Sequence, residues 1–426
     1  MTADERSGAD RPGVWASLAA LAARVRRGPP AVGLTPADEI WRENKWRLLR
    51  YRPVRPAAER WRTPILLVPS LINRYYVLDL APGRSFVEYL VAAGHDVFII
   101  DWGTPGAEDR YLSFDDVCHG YLGRAVRKVA AHGPDGECHV LGYCLGGTLA
   151  TIYAAAEPAQ VASLIALAAP IDFRHGGLLA TWTQSPGFDV DALVEGFGNV
   201  PWPLMQASFH LLKPTANLAK LVGLLDRAWD DEFLDGFLAT ERWGNDNVSF
   251  PGACYRRYIA ELYRGNALVA DTMRLAGKPA RLGDLDCPVL AVTFAHDHIV
   301  PEASATALIE RVGSPDKAVL RAARRPRRRG GVAQGRRRTV ASAVAVVGGA
   351  RHPRGPRPRR RDSRAVAVTR DRPRPQPPSP PRSRSRSRSQ PRSPSPPRSR
   401  PRPPPRSPPP PAAYPSSRRR RDRRSA

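Results

Sequence analysis

The sequence predicts an α/β protein, a mostly parallel sheet flanked by helices, and three observations carry that prediction. From residue 64 onward, short apolar runs rich in β-branched residues alternate with helical patterns, as βαβ units do. Residues 172–283 interrupt this rhythm with many Trp, Phe, Tyr, Pro and Gly, which reads as a cap inserted between consecutive sheet strands. After Leu320 the apolar vocabulary stops: no Leu, Ile, Phe, Trp or Met follows, and Tyr414 is the only aromatic.

Taken in order, residues 1–35 form an N-terminal extension in which VWASLAALAARVR (14–26) repeats apolar residues at helical spacing. This amphipathic helix is expected to pack on the domain surface or to meet a partner. The main domain spans 36–321. Its strands are expected at PILLV (64–68), HDVFIID (95–101), CHVLGY (138–143), VASLIALAA (161–169) and PVLAVTFA (288–295), whose dense apolar content suits burial on both faces. Helices are expected at 85–94, 114–131, 147–158 and 302–312, the last opening with Glu302 at its positive end. The aromatics of the insertion suit the cap's own core and a substrate channel equally.

Charge divides the chain in two. The net charge of the 426 residues is +26, yet residues 321–426 hold 34 Arg and three Asp with no Lys or Glu, a net +31, which leaves −5 for residues 1–320. The inference from basicity to an anionic partner therefore reaches only the tail, 322–426, which lacks the apolar surface to offset its ordering entropy and is expected to be disordered. The five cysteines are scattered without a CxxC pair, which favours a reducing, cytoplasmic compartment. The polar N-terminus lacks the features of a signal peptide, and no run of about 18 apolar residues occurs, so a soluble protein is expected.

The strongest local signal is GYCLGG (142–147), set between an expected strand and an expected helix. Its spacing is that of a nucleophile elbow, with Cys144 as the nucleophile and Gly142 and Gly146 allowing the tight turn. This places the chain in the α/β-hydrolase class of folds. The helix N-terminus is expected to favour thiolate over thiol, and the Leu145 N–H to donate to a developing oxyanion. A buried structural cysteine in a Gly-rich turn is the plainer alternative. AHDHIVP (295–301) follows a late strand, where this fold carries its triad acid, and Asp297 takes that place in chain order. His296 and His298 flank it. An HxH pair without a third ligand does not make a metal site, so none is expected. LLVPSLINRYYVLD (66–79) follows the first expected strand, where a loop N–H completes the oxyanion hole, and Ile72 is the candidate.

Together these residues resemble the polyhydroxyalkanoate synthases. VPSLINRYYVLDL (68–80), VFIIDWGTP (97–105), LGYCLGGTLATIYAA (141–155), APIDFRHGGLLATWT (169–183), PGACYRRYIAELYRGNALV (251–269) and AHDHIVP (295–301) read like blocks of that family in family order. With about 60 residues ahead of the first expected strand, the chain is similar to the short, two-subunit synthases. The resemblance implies an acyltransferase that polymerises (R)-3-hydroxyacyl-CoA with release of coenzyme A, through an acyl thioester on Cys144, with Asp297 helping to activate the incoming hydroxyl. It implies no cofactor, since coenzyme A arrives as part of the substrate. It also implies a second, non-catalytic subunit and the surface of a polymer granule as partners.

The chain departs from the family after residue 321. The family's triad His follows the last strand in a stretch resembling LPGGHVG, and here DKAVLR (316–321) begins that strand before the pattern breaks; beyond His298 only His352 remains. Ala322 to Arg328 can be encoded GCN GCN CGN CGN CCN CGN CGN. Read one nucleotide later, that string permits Leu-Pro-Gly-Gly-His-Val, the histidine falling across the codons of Pro326 and Arg327. Residues from about 322 onward are therefore read as a frameshift product, and the chain as written is expected to lack the catalytic base, the final strand and the final helix, with little activity. Two other functions fit the sequence. PRSRSRSRSQPRSPSPPRSRPR (381–402) resembles an arginine–serine-rich segment that would bind RNA through phosphates, and the same fold would support a Cys-dependent esterase or thioesterase.

Overall fold

The computed structural model describes residues 14–212, 224, 227, 230–295 and 297–322. Ten strands lie among them: β1 (Ala37–Glu43), β2 (Trp46–Tyr51), β3 (Ile65–Val68), β4 (Val97–Asp101), β5 (Cys138–Tyr143), β6 (Val161–Leu167), β7 (Arg274–Leu275), β8 (Lys278–Pro279), β9 (Val289–Phe294) and β10 (Lys317–Ala322). Eight form one sheet in the order β1-β2-β4-β3-β5-β6-β9-β10, and β7 and β8 make a separate ribbon. From β4 to β10 every pairing is parallel, as the βαβ rhythm requires, whereas β1, β2 and β4 pair antiparallel.

Alternation along the strands builds two cores. Leu66 and Val68 of β3 join Phe98, Ile100, Val140 and Leu164 on one face, while Ile65 and Leu67 join Val97, Ile99, Leu141 and Ile165 on the other. The first face is covered by α3 (Gly123–Ala130) and α4 (Leu145–Ala156), and the second by α2 (Phe86–Ala92) through Val87, Leu90 and Val91. Ser85 caps α2 by accepting from the Glu88 N–H, which fixes where that helix begins. The helix expected over 114–131 divides into a π-helical turn, Asp116–Leu122, and α3.

Two expectations need correction. The first sheet strand begins at Ala37, not at residue 64, because a hairpin precedes the βαβ units. Its signal was present in the Asn44 turn, at φ 51°, between the Trp41 and Trp46 strands, but charged residues on the exposed edge strand β1 mask the alternation. The final strand is also present: β10 pairs with β9 over six positions, Lys317 opposite Val289 through Ala322 opposite Phe294. Ala322, assigned to the tail, is the last residue of that strand. The disorder expected beyond it, and His352, fall outside the described residues.

Between β6 and β9 the insertion forms helices Gly177–Gln184, Val190–Phe197, Trp202–Leu211, Asp231–Asn245 and Gly252–Arg257, and a π-helical turn, Tyr258–Arg264. The N-terminal helix α1 (Val14–Arg26) packs against this insertion, with the largely buried Arg24 paired to Asp235 and the nearby Pro30 carbonyl accepting from Arg242 Nη1 at 2.7 Å. Among the described residues no helix is long and apolar enough to cross a membrane.

Candidate active site

Strand β5 ends at Tyr143 and α4 starts at Leu145, so one residue, Cys144, makes the whole reversal. Its φ and ψ of 53° and −128° lie where L-residues are strained by about 1–3 kcal/mol. The surroundings hold it there. The Cys144 N–H donates to the Leu167 carbonyl on β6 at 2.9 Å, and its own carbonyl accepts from the Gly147 N–H at 2.8 Å. Both elbow glycines are required by close approach. A Cβ on Gly142 would sit 2.4 Å from the Gly147 Cα, and one on Gly146 would sit 2.2 Å from the Val68 carbonyl oxygen and 2.4 Å from that of Pro69. These contacts are backbone atoms that cannot swing aside, so Gly146→Ala is expected to destabilise the protein by about 3 kcal/mol. A melting curve checks it, and an unchanged midpoint would mean that α4 is not pressed against the β3 loop.

Of the five cysteines, four are buried and Cys144 alone is not. Its sulfur is nevertheless enclosed. Burial pushes the thiol up to about 11, the Leu145 N–H and the Ser70 hydroxyl pull it down, and the charge of Asp297 pushes it further up. This corrects the expectation of a resting thiolate: the helix N-terminus does supply an N–H to the sulfur, but desolvation outweighs it. Burial thus favours the thiol form of Cys144.

Asp297 stands on the loop leaving β9, and its Oδ1 accepts from the N–H groups of Ile299 and Val300, both at 2.9 Å. The bend after β9 thus orients the carboxylate while it acts on Cys144. His296 lies outside the described residues, and His298 is exposed on the same loop. Among the described groups acting on the Cys144 thiol, none is a histidine.

Ile72 is half-buried in the loop after β3, and its carbonyl accepts from the Val248 N–H at 3.1 Å. That bond belongs to a latch between this loop and the cap. Asp246 accepts from Arg74 Nε at 2.9 Å and from the Tyr76 hydroxyl at 2.5 Å, and Asn73 bridges to Asn247. The cap segment therefore sets the position of the candidate oxyanion loop.

Several neighbours of the site were not singled out in the sequence. Trp102 Nε1 donates to the Pro69 carbonyl at 2.9 Å and props the β3 loop from below; its signal was a buried Trp directly after β4. Tyr258 and Tyr263 of the cap pack edge-on against Phe173, at 5.9 and 4.9 Å between centroids, and lie close enough to Cys144 for the charges to interact. These cap aromatics pack with one another and with Phe173 as a core does, and two of them come within electrostatic range of Cys144. Ser70 had no signal beyond lying in the β3 loop.

Comparison with known proteins agrees with this geometry. A family model of the α/β hydrolase fold matches residues 63–323, and one described as the poly-beta-hydroxybutyrate polymerase (PhaC) N-terminus matches residues 29–90, which take in the hairpin and the β3 loop. The poly(3-hydroxyalkanoate) polymerase subunit PhaC of Allochromatium vinosum is 35% identical over 287 residues, covering 67% of this chain and 80% of that protein. The protein of the same name from Haloferax mediterranei is 34% identical over 295 residues, 69% of this chain and 60% of its own length. A third, from Synechocystis sp., is 33% identical over 283 residues, 65% of this chain and 74% of its own. A cysteine elbow on a hydrolase sheet, matched at this identity across four-fifths of a polymerase subunit, means that the chain belongs to the poly(3-hydroxyalkanoate) polymerase family.

Proposed function

We propose that this protein joins (R)-3-hydroxyacyl groups from coenzyme A thioesters into a polyhydroxyalkanoate, with Cys144 carrying the acyl chain. The observation that supports this most is Cys144 itself, held on a strained bend with an amide N–H at its sulfur and the charge of an oriented carboxylate acting on it. The sulfur attacks the thioester carbonyl, the tetrahedral oxyanion is held by the N–H groups of Leu145 and Ile72, and coenzyme A leaves as its thiol. One thioester replaces another, so this step is close to isoenergetic. The hydroxyl of the next monomer, assisted by Asp297, then attacks the Cys144 thioester in place of water: the new ester C–O bond forms as the C–S bond breaks, and the hydroxyl's proton ends on the released Cys144 thiol. The buried aromatic wall of Phe173, Tyr258 and Tyr263 keeps water from the acyl enzyme and so favours growth over hydrolysis. Coenzyme A is substrate here, not cofactor. A second, non-catalytic subunit and the granule surface are the partners this reading assigns, with a cytoplasmic location.

Incubation of the frame-restored chain with 3-hydroxybutyryl-CoA tests it by products. The expected outcome is polymer with free coenzyme A, and a mass increase of one hydroxyacyl group on the peptide containing Cys144. Free 3-hydroxybutyrate in place of polymer would make the protein a thioesterase, and an acyl group on another residue would remove Cys144 from the mechanism.

A further inference from the structure

The loop after β3 carries a hydroxyl that the proposed chemistry leaves without a role. Ser70 is completely buried, and among the described residues its Oγ makes no hydrogen bond of ordinary geometry, although its hydroxyl acts on the Cys144 thiol to lower it. A buried hydroxyl left unmet is costly, so the group it faces matters. The strand register names that group. β3 and β5 pair in parallel with Val68 opposite Gly142. Ser70 and Cys144 therefore each lie two residues beyond a matched pair, past the carboxyl ends of neighbouring strands. The loop is also pinned on both sides of Ser70. Before it, the Pro69 carbonyl is held by Trp102 and pressed against Gly146; after it, the Ser70 carbonyl accepts from the Asn73 N–H at 3.4 Å.

We propose that Ser70 is a positioning residue for Cys144, donating its hydroxyl hydrogen to the sulfur and stabilising the thiolate whenever it forms. This rests on the reading of Cys144 as nucleophile. Around the sulfur, Asp297 opposes the thiolate by its charge, the Leu145 N–H is the other donor, and a negative Cys144 in turn helps to keep the hydroxyls of Tyr258 and Tyr263 protonated. A neutral hydroxyl adds stabilisation without adding a basic group. The bond strengthens when the sulfur is negative and weakens in the acyl thioester, so it assists both attack by Cys144 and its departure when the chain is transferred.

Site-specific alkylation of the full chain tests this without relying on polymerisation. The rate of iodoacetamide reaction at Cys144 is followed by peptide mass spectrometry from neutral to strongly alkaline pH. In Ser70→Ala the half-maximal pH is expected to rise by about half to one unit, and the rate at neutral pH to fall about three- to tenfold, with the high-pH plateau unchanged. Ser70→Thr, which keeps the hydroxyl, is expected to restore the parent profile. An unshifted half-maximal pH in Ser70→Ala overturns the proposal, and so does a lowered plateau with the half-maximal pH unchanged, which is what a merely structural role gives. A shifted profile in a protein whose Cys144 never accepts an acyl group upholds the hydrogen bond and defeats the proposed function instead.

Discussion

Restoring the alternative reading frame after Arg321 is expected to raise coenzyme A release from 3-hydroxybutyryl-CoA by about a thousandfold over the chain as written. The reason is the thiol. With burial pushing the Cys144 thiol up to about 11, the thiol form dominates at neutral pH, so attack needs a base that takes the proton as the bond forms. Asp297 is a poor candidate, because its charge already opposes the thiolate. The register of β9 and β10 shows where a base would enter. Ala322 lies opposite Phe294, three residues before Asp297, so β10 ends at the sheet edge where the acid's loop begins. The shifted codons place a histidine across positions 326 and 327, within reach of that edge. A positioned base contributes typically 10²–10⁴-fold, which sets the expected gain. Glutamine in place of the restored histidine should return the rate to that of the chain as written. Equal turnover by the restored and unrestored chains would show that this protein draws its base from elsewhere, and DNA across codons 318 to 330 that permits no shifted histidine would remove the frameshift itself.

How legible the molecule was in sequence follows from how local each signal is. β5 and α1 fall at the residues their patterns predict, Cys138–Tyr143 and Val14–Arg26, since a buried apolar run and a helical stripe are written in consecutive residues. The elbow was equally readable, because the three close approaches that make it involve Gly142, Gly146 and Gly147 within one hexapeptide and its neighbours. The hairpin β1–β2 was missed because an edge strand carries charge on both sides and buries little. The thiolate expectation failed for another reason. The helix N-terminus is local and visible, but the burial that outweighs it belongs to the assembled fold, which brings Asp297, Tyr258 and Tyr263 near a Cys144 that is distant from them in sequence. Ser70 and the Asp246 latch were invisible on the same ground. Each acquires meaning only when the β3 loop meets β5 or the cap, and nothing in PSLIN or GNDNV announces that meeting.

Replacing Cys144 with alanine in the frame-restored chain is expected to abolish polymer formation, a loss of at least about a thousandfold, while leaving the fold and substrate binding in place. The substitution removes a single sulfur, and alanine keeps a Cβ at a position whose backbone strain is already held by the bonds to Leu167 and Gly147. No other cysteine can substitute: Cys118, Cys138, Cys254 and Cys287 are buried, and burial pushes the thiols of the first three above their ordinary range. Nucleophile, acid and base act as a unit, so losing the nucleophile should cost about as much as losing all three. Cys144→Ser separates acyl transfer from simple hydrolysis, since an oxyester on serine is a weaker acyl donor than a thioester and should slow chain transfer more than acylation. The measurement is coenzyme A release and polymer yield together, with the acyl group located by mass. Polymer from the alanine variant at anything near the parental rate would remove the covalent mechanism altogether. An alanine variant that releases no coenzyme A while still binding a non-hydrolysable acyl-CoA analogue would isolate the loss to the sulfur on the β5–α4 bend.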